Sequence, residues 1–173
     1  VERIVAGAGG HIRARVSEFE SVQLGGYTVE RPLILVPLED LGAFSLDRGM
    51  GVLGNNILRR FVLYLDYANQ RIIVEKGRDF ETSFPRDRSG ISIVLTPEDD
   101  YQVLSVSAGT PAADAGLLKG DLVKSINGIP VEHLGDPIRI SNLFRADAGT
   151  VYQLEILRDG EPFELRLTLR KLY

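Results

Sequence analysis

Apolar and polar positions alternate over much of this chain, and the alternation changes character near its middle. From His11 to Leu24, apolar side chains recur at Ile12, Ala14, Val16, Phe19, Val22 and Leu24. A period of two, with a slip near Ser17, predicts one long strand or two strands with a bend. Gly25-Gly26 turns the chain. Tyr27 to Leu38 returns, with Leu33-Ile34-Leu35-Val36 as an expected buried run between Pro32 and Pro37, which suit its ends. Leu41 to Gly49 reads as a loop. Asn55 suits the N-cap of a short helix whose Ile57, Leu58 and Phe61 share a face. Val62 to Leu65 and Arg71 to Val74 then read as two strands joined across Asp66 to Gln70.

The later part has a mixed grammar. Ile91 to Leu95 and Val103 to Val106 read as strands. Thr110 to Gly116 is a short helix, with Thr as cap, Pro111 in the first turn and Gly at its end. Asp121 to Ile126 is a strand, and Asn127-Gly128 is a strong hairpin turn answered by Ile129-Pro130-Val131. Asp136-Pro137 opens a second helix reaching about Ala146. Val151 to Arg158 and Phe163 to Leu169 close the chain as a hairpin across Asp159-Gly160. Between the two parts, Lys76 to Ser89 is polar, holds Pro85 and has no period, which marks a linker. The expected division is therefore 1–76, a linker at 77–87, and 88–173, mainly β with short helices.

Composition narrows the function without choosing it. The chain has 173 residues, 44% hydrophobic, 25% charged and 8% aromatic, as in an ordinary globular protein. No apolar run approaches the roughly 18 residues of a membrane-spanning helix, so no membrane segment is expected. Val1 is not a starting Met, and the natural protein is expected to begin before it. The net charge is −4, with 10 Lys+Arg against 11 Asp+Glu through Phe84 and 10 against 13 after it. Neither part has the basic excess that nucleic acid or an anionic membrane would call for. With Cys absent and only His11 and His133, far apart, neither a thiol nor a metal centre is supported, and no cofactor is expected. No Gly-x-Ser-x-Gly elbow and no convincing Ser-Lys pair is present.

Residues 88–173 resemble a PDZ domain of the bacterial, circularly permuted kind. The resemblance is carried by Thr110-Pro111-Ala112-Ala113-Asp114-Ala115-Gly116-Leu117, then Gly120-Asp121, then Val123-Lys124-Ser125-Ile126-Asn127-Gly128. It implies binding of an extended peptide, usually a protein C-terminus, as an added strand. The carboxylate-holding loop would be Arg88-Ser89-Gly90-Ile91, in which Arg88 and Ser89 depart from the family's Gly-apolar start. That departure implies weaker carboxylate capture or a taste for internal segments. The peptide-binding residues implied are Ser89, Gly90, Ile91, Ser92 and Ile93, faced by Ile140 and Phe144. His133 precedes the facing helix and reads as a surface residue.

Residues 1–76 resemble the C-terminal part of a retropepsin-like aspartic peptidase lobe. The resemblance rests on Val52-Leu53-Gly54, Leu58 and Phe61, then Leu63-x-Leu65-Asp66-Tyr67 and Arg71-Ile72-Ile73-Val74. It implies a flap at Gly7, Ala8, Gly9 and Gly10, and a substrate wall at Val52, Leu53 and Gly54. The Asp-Thr/Ser-Gly turn that such chemistry needs is absent, so no catalytic residue is assigned and the chain alone is expected to be inactive. Two functions remain open at this point. One is a piece of a bacterial aspartic endopeptidase, a hydrolase acting in proteolysis, with a PDZ domain that recruits peptides. The other is a non-catalytic peptide-binding scaffold with a degenerate β domain. A homodimer through residues 1–76 is expected in either case. The compartment stays open, extracytoplasmic included.

Overall fold

A computed structural model describes residues 1–7, 10–38 and 52–172. It divides into two compact units, Val1–Arg15 with Pro85–Tyr173, and Val16–Phe84. The chain is mainly β.

The first unit begins with an antiparallel hairpin, β1 (Glu2–Gly7) and β2 (Gly10–Glu18) as far as Arg15, in which Gly7 pairs with Gly10. Its main sheet has the order β13-β12-β10-β9-β8, with β11 beside β10. These strands are β8 (Ile91–Leu95), β9 (Tyr101–Val106), β10 (Leu122–Ile126), β11 (Ile129–Pro130), β12 (Val151–Arg158) and β13 (Glu161–Thr168). Period-two burial along β12 fits a sheet with one covered face. The tight turns fall where the sequence places them. Asn127 and Gly128 both have positive φ, as do Asp159 and Gly160, which is what a two-residue hairpin of the favoured hand requires.

The covered face is packed by α2 (Pro111–Asp114), α3 (Val131–Leu134) and α4 (Pro137–Leu143). The core gathers Ile91, Ile93, Val103, Val123, Ile126, Leu154, Ile156 and Leu167 from the sheet, with Ala112, Ile140 and Phe144 beside them. Asp136 caps α4 by accepting from the Arg139 N–H at 2.8 Å. Thr110 sits at the N-cap of α2 but does not cap with its side chain. Its hydroxyl donates to the Ser107 carbonyl at 2.6 Å instead.

The second unit holds two hairpins, β3 (Ser21–Leu24) with β4 (Tyr27–Glu30), and β6 (Phe61–Asp66) with β7 (Arg71–Lys76). It also has β5 (Leu33–Pro37) and α1 (Asn55–Leu58). The period-two stretch from His11 to Leu24 is thus two strands, broken at Phe19-Glu20. Three local expectations need correction. Leu33 to Val36 is not a buried run, since Leu33 and Ile34 are half-buried and Leu35 and Val36 exposed. Four successive apolar residues are covered on both faces only when layers lie on both sides of the strand. Asn55 is the first helical residue, and Gly54 takes the N-cap position. The expected loop at Leu41 to Gly49 lies outside the described residues.

The third correction concerns the polar stretch read as a linker. Phe80 and Phe84 are buried with Val29, Ile57 and Phe61 in the core of the second unit. Phe61 and Phe80 meet edge to face at 5.3 Å between centroids. Arg60, fully buried, explains how a polar stretch is held there. Its guanidinium donates to the carbonyls of Asn56, Asp79, Phe80 and Thr82 and lies 3.7 Å over the Phe84 ring. Charged donors satisfy carbonyls that would otherwise be buried bare.

Candidate peptide-binding site

Among the described residues β8 is the last strand of its sheet, and α4 packs against it. An end strand presents N–H and C=O groups that no further strand engages, and these are what an added peptide strand uses. Ile91 and Ile93 point into the core, whereas Ser92 and Val94 are half-buried and Leu95 is exposed. On the helix side, Ile140 and Phe144 are completely buried, at 0% and 1% exposure. Phe144 packs edge to face on Tyr152, with ring centroids 5.6 Å apart. These two side chains therefore belong to the hydrophobic floor under the strand and helix. The side chains that α4 leaves open are Ile138, Arg139 and Asn142, with Ser141 and Leu143 half-buried. His133 lies on α3, exposed, as expected of a surface residue.

The loop leading into β8 is built tightly. Gly90 has φ +78°, and a Cβ there would fall 2.3 Å from the Thr110 hydroxyl oxygen. Only glycine fits on both counts. The Ser89 and Gly90 carbonyls turn inward and accept from the Ala112 and Ser107 N–H groups, each at 2.9 Å. Ser89 is buried. Arg88, the departure noted in the sequence, has a structural task at the far end of the helix. Its backbone N–H donates to the Phe144 carbonyl at 2.9 Å, and its guanidinium donates to the carbonyls of Arg145 and Ala146. A cation at a helix C-terminus answers carbonyls that the helix leaves unpaired.

The N–H groups of this loop are already engaged. Asp87 accepts from the Ser89 N–H at 3.2 Å and the Gly90 N–H at 2.8 Å, both on Oδ2, and from the Ser89 hydroxyl at 2.7 Å on Oδ1. The Ile91 N–H donates to the Ser89 Oγ at 3.2 Å. Arg3 of β1 forms an ion pair with Asp87, and the Ser107 hydroxyl donates to the Glu2 carbonyl. Nothing in the sequence marked Asp87, because its role depends on a loop that folds back onto a residue two positions earlier.

Asp121 anchors the turn into β10. It is 1% exposed and forms a two-point ion pair with Arg158, at 2.7 and 2.8 Å. It also accepts from the Leu118 N–H at 2.8 Å. Burial pushes its carboxyl up, but the bonds from Arg158 and Leu118 outweigh burial and hold it below the usual carboxylate value. Burial pushes the Tyr152 hydroxyl up, and that hydroxyl donates to the Leu143 carbonyl at 2.7 Å. A cavity of about 410 Å³ lies elsewhere, lined by Glu2, Arg3, Ile4, Arg13 and Ser105 to Ala108, with no residue of β8 or α4 in its wall. Among the described residues no cluster of three metal-ligating side chains occurs, and no helix is long and apolar enough to cross a membrane.

Comparison with known proteins gives this arrangement its class. Residues 102–158 match the PDZ domain family. Over 117 residues the chain is 31% identical to a carboxy-terminal-processing protease of Bartonella bacilliformis, which covers 65% of this chain and 26% of that protein. Over 67 residues it is 36% identical to the periplasmic pH-dependent serine endoprotease DegQ of Escherichia coli, covering 39% of this chain and 14% of that one. A crystal structure of the serine endoprotease from Yersinia pestis matches 51% of the chain and 30% of its own, at 26% identity and a TM-score of 0.42. The chain thus spans about a quarter or less of the curated relatives' length, and the part it shares is related to the PDZ domains of proteases.

These relatives overturn one expectation. The relatives of this chain include serine endoproteases, and residues 1–76 are not assigned to a retropepsin-like aspartic peptidase. The motif behind it, short apolar strands around a small helix, is common to many β units and carried no catalytic aspartate. The flap and wall roles of Gly7, Ala8, Gly9, Gly10, Val52, Leu53 and Gly54 go with it. Gly7 and Gly10 close the β1–β2 pairing, and Ala8 and Gly9 lie outside the described residues. Val52 and Leu53 are exposed, and Gly54 precedes α1.

Proposed function

We propose that this chain is a peptide-recognition module of the kind that serine endoproteases and carboxy-terminal-processing proteases carry. An extended peptide adds to β8 as a further antiparallel strand and lies between that strand and α4. Backbone hydrogen bonds along β8 supply affinity that does not depend on sequence, and apolar side chains of the peptide settle over the floor made by Ile91, Ile93, Ile140 and Phe144. The roles of Ser89, Gly90 and Ser92 in this reading are to shape the entry of the strand. The observation that carries it is the position of β8, last in its sheet with a helix alongside.

The test is an NMR titration of the isotope-labelled full chain with a soluble apolar pentapeptide. Amide signals of Ser89 to Leu95 and of Ile138 to Phe144 should shift together and saturably. Shifts confined to the second unit, or no shift at millimolar peptide, would overturn the reading.

A further inference from the structure

The proposed groove opens at a loop whose N–H groups form a cradle for an anion. Successive backbone N–H groups converging on one point bind carboxylates, and peptide C-termini are captured in such nests. Here the three donors nearest the start of β8, the N–H groups of Ser89, Gly90 and Ile91, are engaged from within. Asp87 takes the first two and Ser89 Oγ takes the third. The Ser89 hydroxyl closes the circle by donating to Asp87. Arg3 pairs with the same carboxylate.

We infer that Asp87 occupies the seat of a peptide's terminal carboxylate, and that the groove therefore selects segments without a terminal carboxylate at that position. The inference rests on the peptide-binding reading of β8 and α4. A free-acid peptide entering the groove would bring a second carboxylate against Asp87. It would find the N–H donors taken, and two like charges at contact distance repel. It could regain the donors only by displacing Asp87 and breaking the Arg3 pair. An internal segment or an amide-ended peptide meets neither obstacle, because it uses only the strand edge. Asp87 is thus a specificity-determining residue, and the surroundings of Arg88 and Ser89 are the framework that positions it.

Two forms of one fluorescein-labelled peptide, Ala-Ala-Leu-Ile-Val, test this on the full chain: one ending in a free carboxylate and one amidated. Anisotropy should show the native chain binding the amide at least as well as the acid. Asp87→Ala frees the nest and should raise affinity for the acid by tenfold or more, with the amide changed less than threefold. Asp87→Asn keeps the size and an accepting oxygen but drops the charge, and should move the acid in the same direction by a smaller factor. It decides the matter if a thermal melt shows Asp87→Ala to be unfolded. A native chain that prefers the acid tenfold, or variants that leave the affinity for the acid unchanged, would overturn the role of Asp87 while leaving the groove intact. If neither form binds any of the three proteins at millimolar concentration, the groove itself is misplaced and the inference falls with it.

Discussion

At the scale of single residues, the first unit depends on groups whose replacement has a predictable sign. Gly90→Ala would need a φ of +78° from a residue with a Cβ, and would drive that Cβ into Thr110. The backbone penalty alone is of order 1–3 kcal/mol, so we expect a clear drop in melting temperature. Gly109→Ala, at positive φ but with open space around it, should cost less, which separates the clash from the strain. Asp121 supplies the pH dependence. Its folded pKa lies below the ordinary value near 3.9. A depressed carboxylate contributes stability above the unfolded pKa, and that contribution is lost as pH falls through the folded value. Stability should therefore decline below about pH 4 in denaturant melts. Asp121→Asn should cost about 2–3 kcal/mol near neutral pH, because Arg158 and the Leu118 N–H lose a charged acceptor. It should also flatten the acid limb of the curve. A variant whose acid limb matches the native one would show that other carboxylates set it.

At the scale of elements, turn chemistry was the most legible part of the sequence. Asn127-Gly128, Asp159-Gly160 and Asp136-Pro137 each sit where a left-handed turn or a helix start needs those residue types, and each turned up in its place. Strand end against helix was legible too, since Ile91-x-Ile93 alternates and α4 shows helical spacing. Two things were not. Arg60 lies next to Arg59 and before an apolar strand, so by composition it reads as surface. Only the fold brings four carbonyls and the Phe84 ring around it. The 77–87 stretch reads as linker for the same reason, because what holds Phe80 and Phe84 in it is distant in sequence. Arg60→Ala should leave those carbonyls bare and empty the space over Phe84. We expect a loss on the order of 3 kcal/mol, together with new thermolysin cleavage between Gly77 and Pro85. Cleavage unchanged from the native chain would mean that Phe80 and Phe84 suffice to hold the segment.

At the scale of the whole molecule, the two units differ in how well they cover their apolar surface. The PDZ-bearing unit encloses a continuous core under its sheet. In the second unit the β6–β7 ribbon carries apolar side chains on both faces, and among the described residues no third strand joins it. Leu65 pairs with Ile72 across the ribbon, at 56% and 66% exposure, and Tyr67 at its turn is 84% exposed. Tyr64 and Ile73, the next pair along, are also exposed. A two-stranded ribbon is marginal in water unless something packs on it, and open edges are templates for another chain. A second copy meets both needs, because a twofold axis sets ribbon against ribbon with like residues opposed. We therefore propose that the chain self-associates through β6 and β7, within residues 1–76. Light scattering at tens of micromolar should report a mass near twice 19.1 kDa. Leu65→Lys with Ile72→Lys places charge on the ribbon without touching the core of either unit, and should return the chain to a monomer that keeps its peptide binding and whose melting temperature no longer rises with concentration. A native chain that scatters as a monomer at those concentrations, or a double variant that still associates, would place the contact elsewhere or remove it.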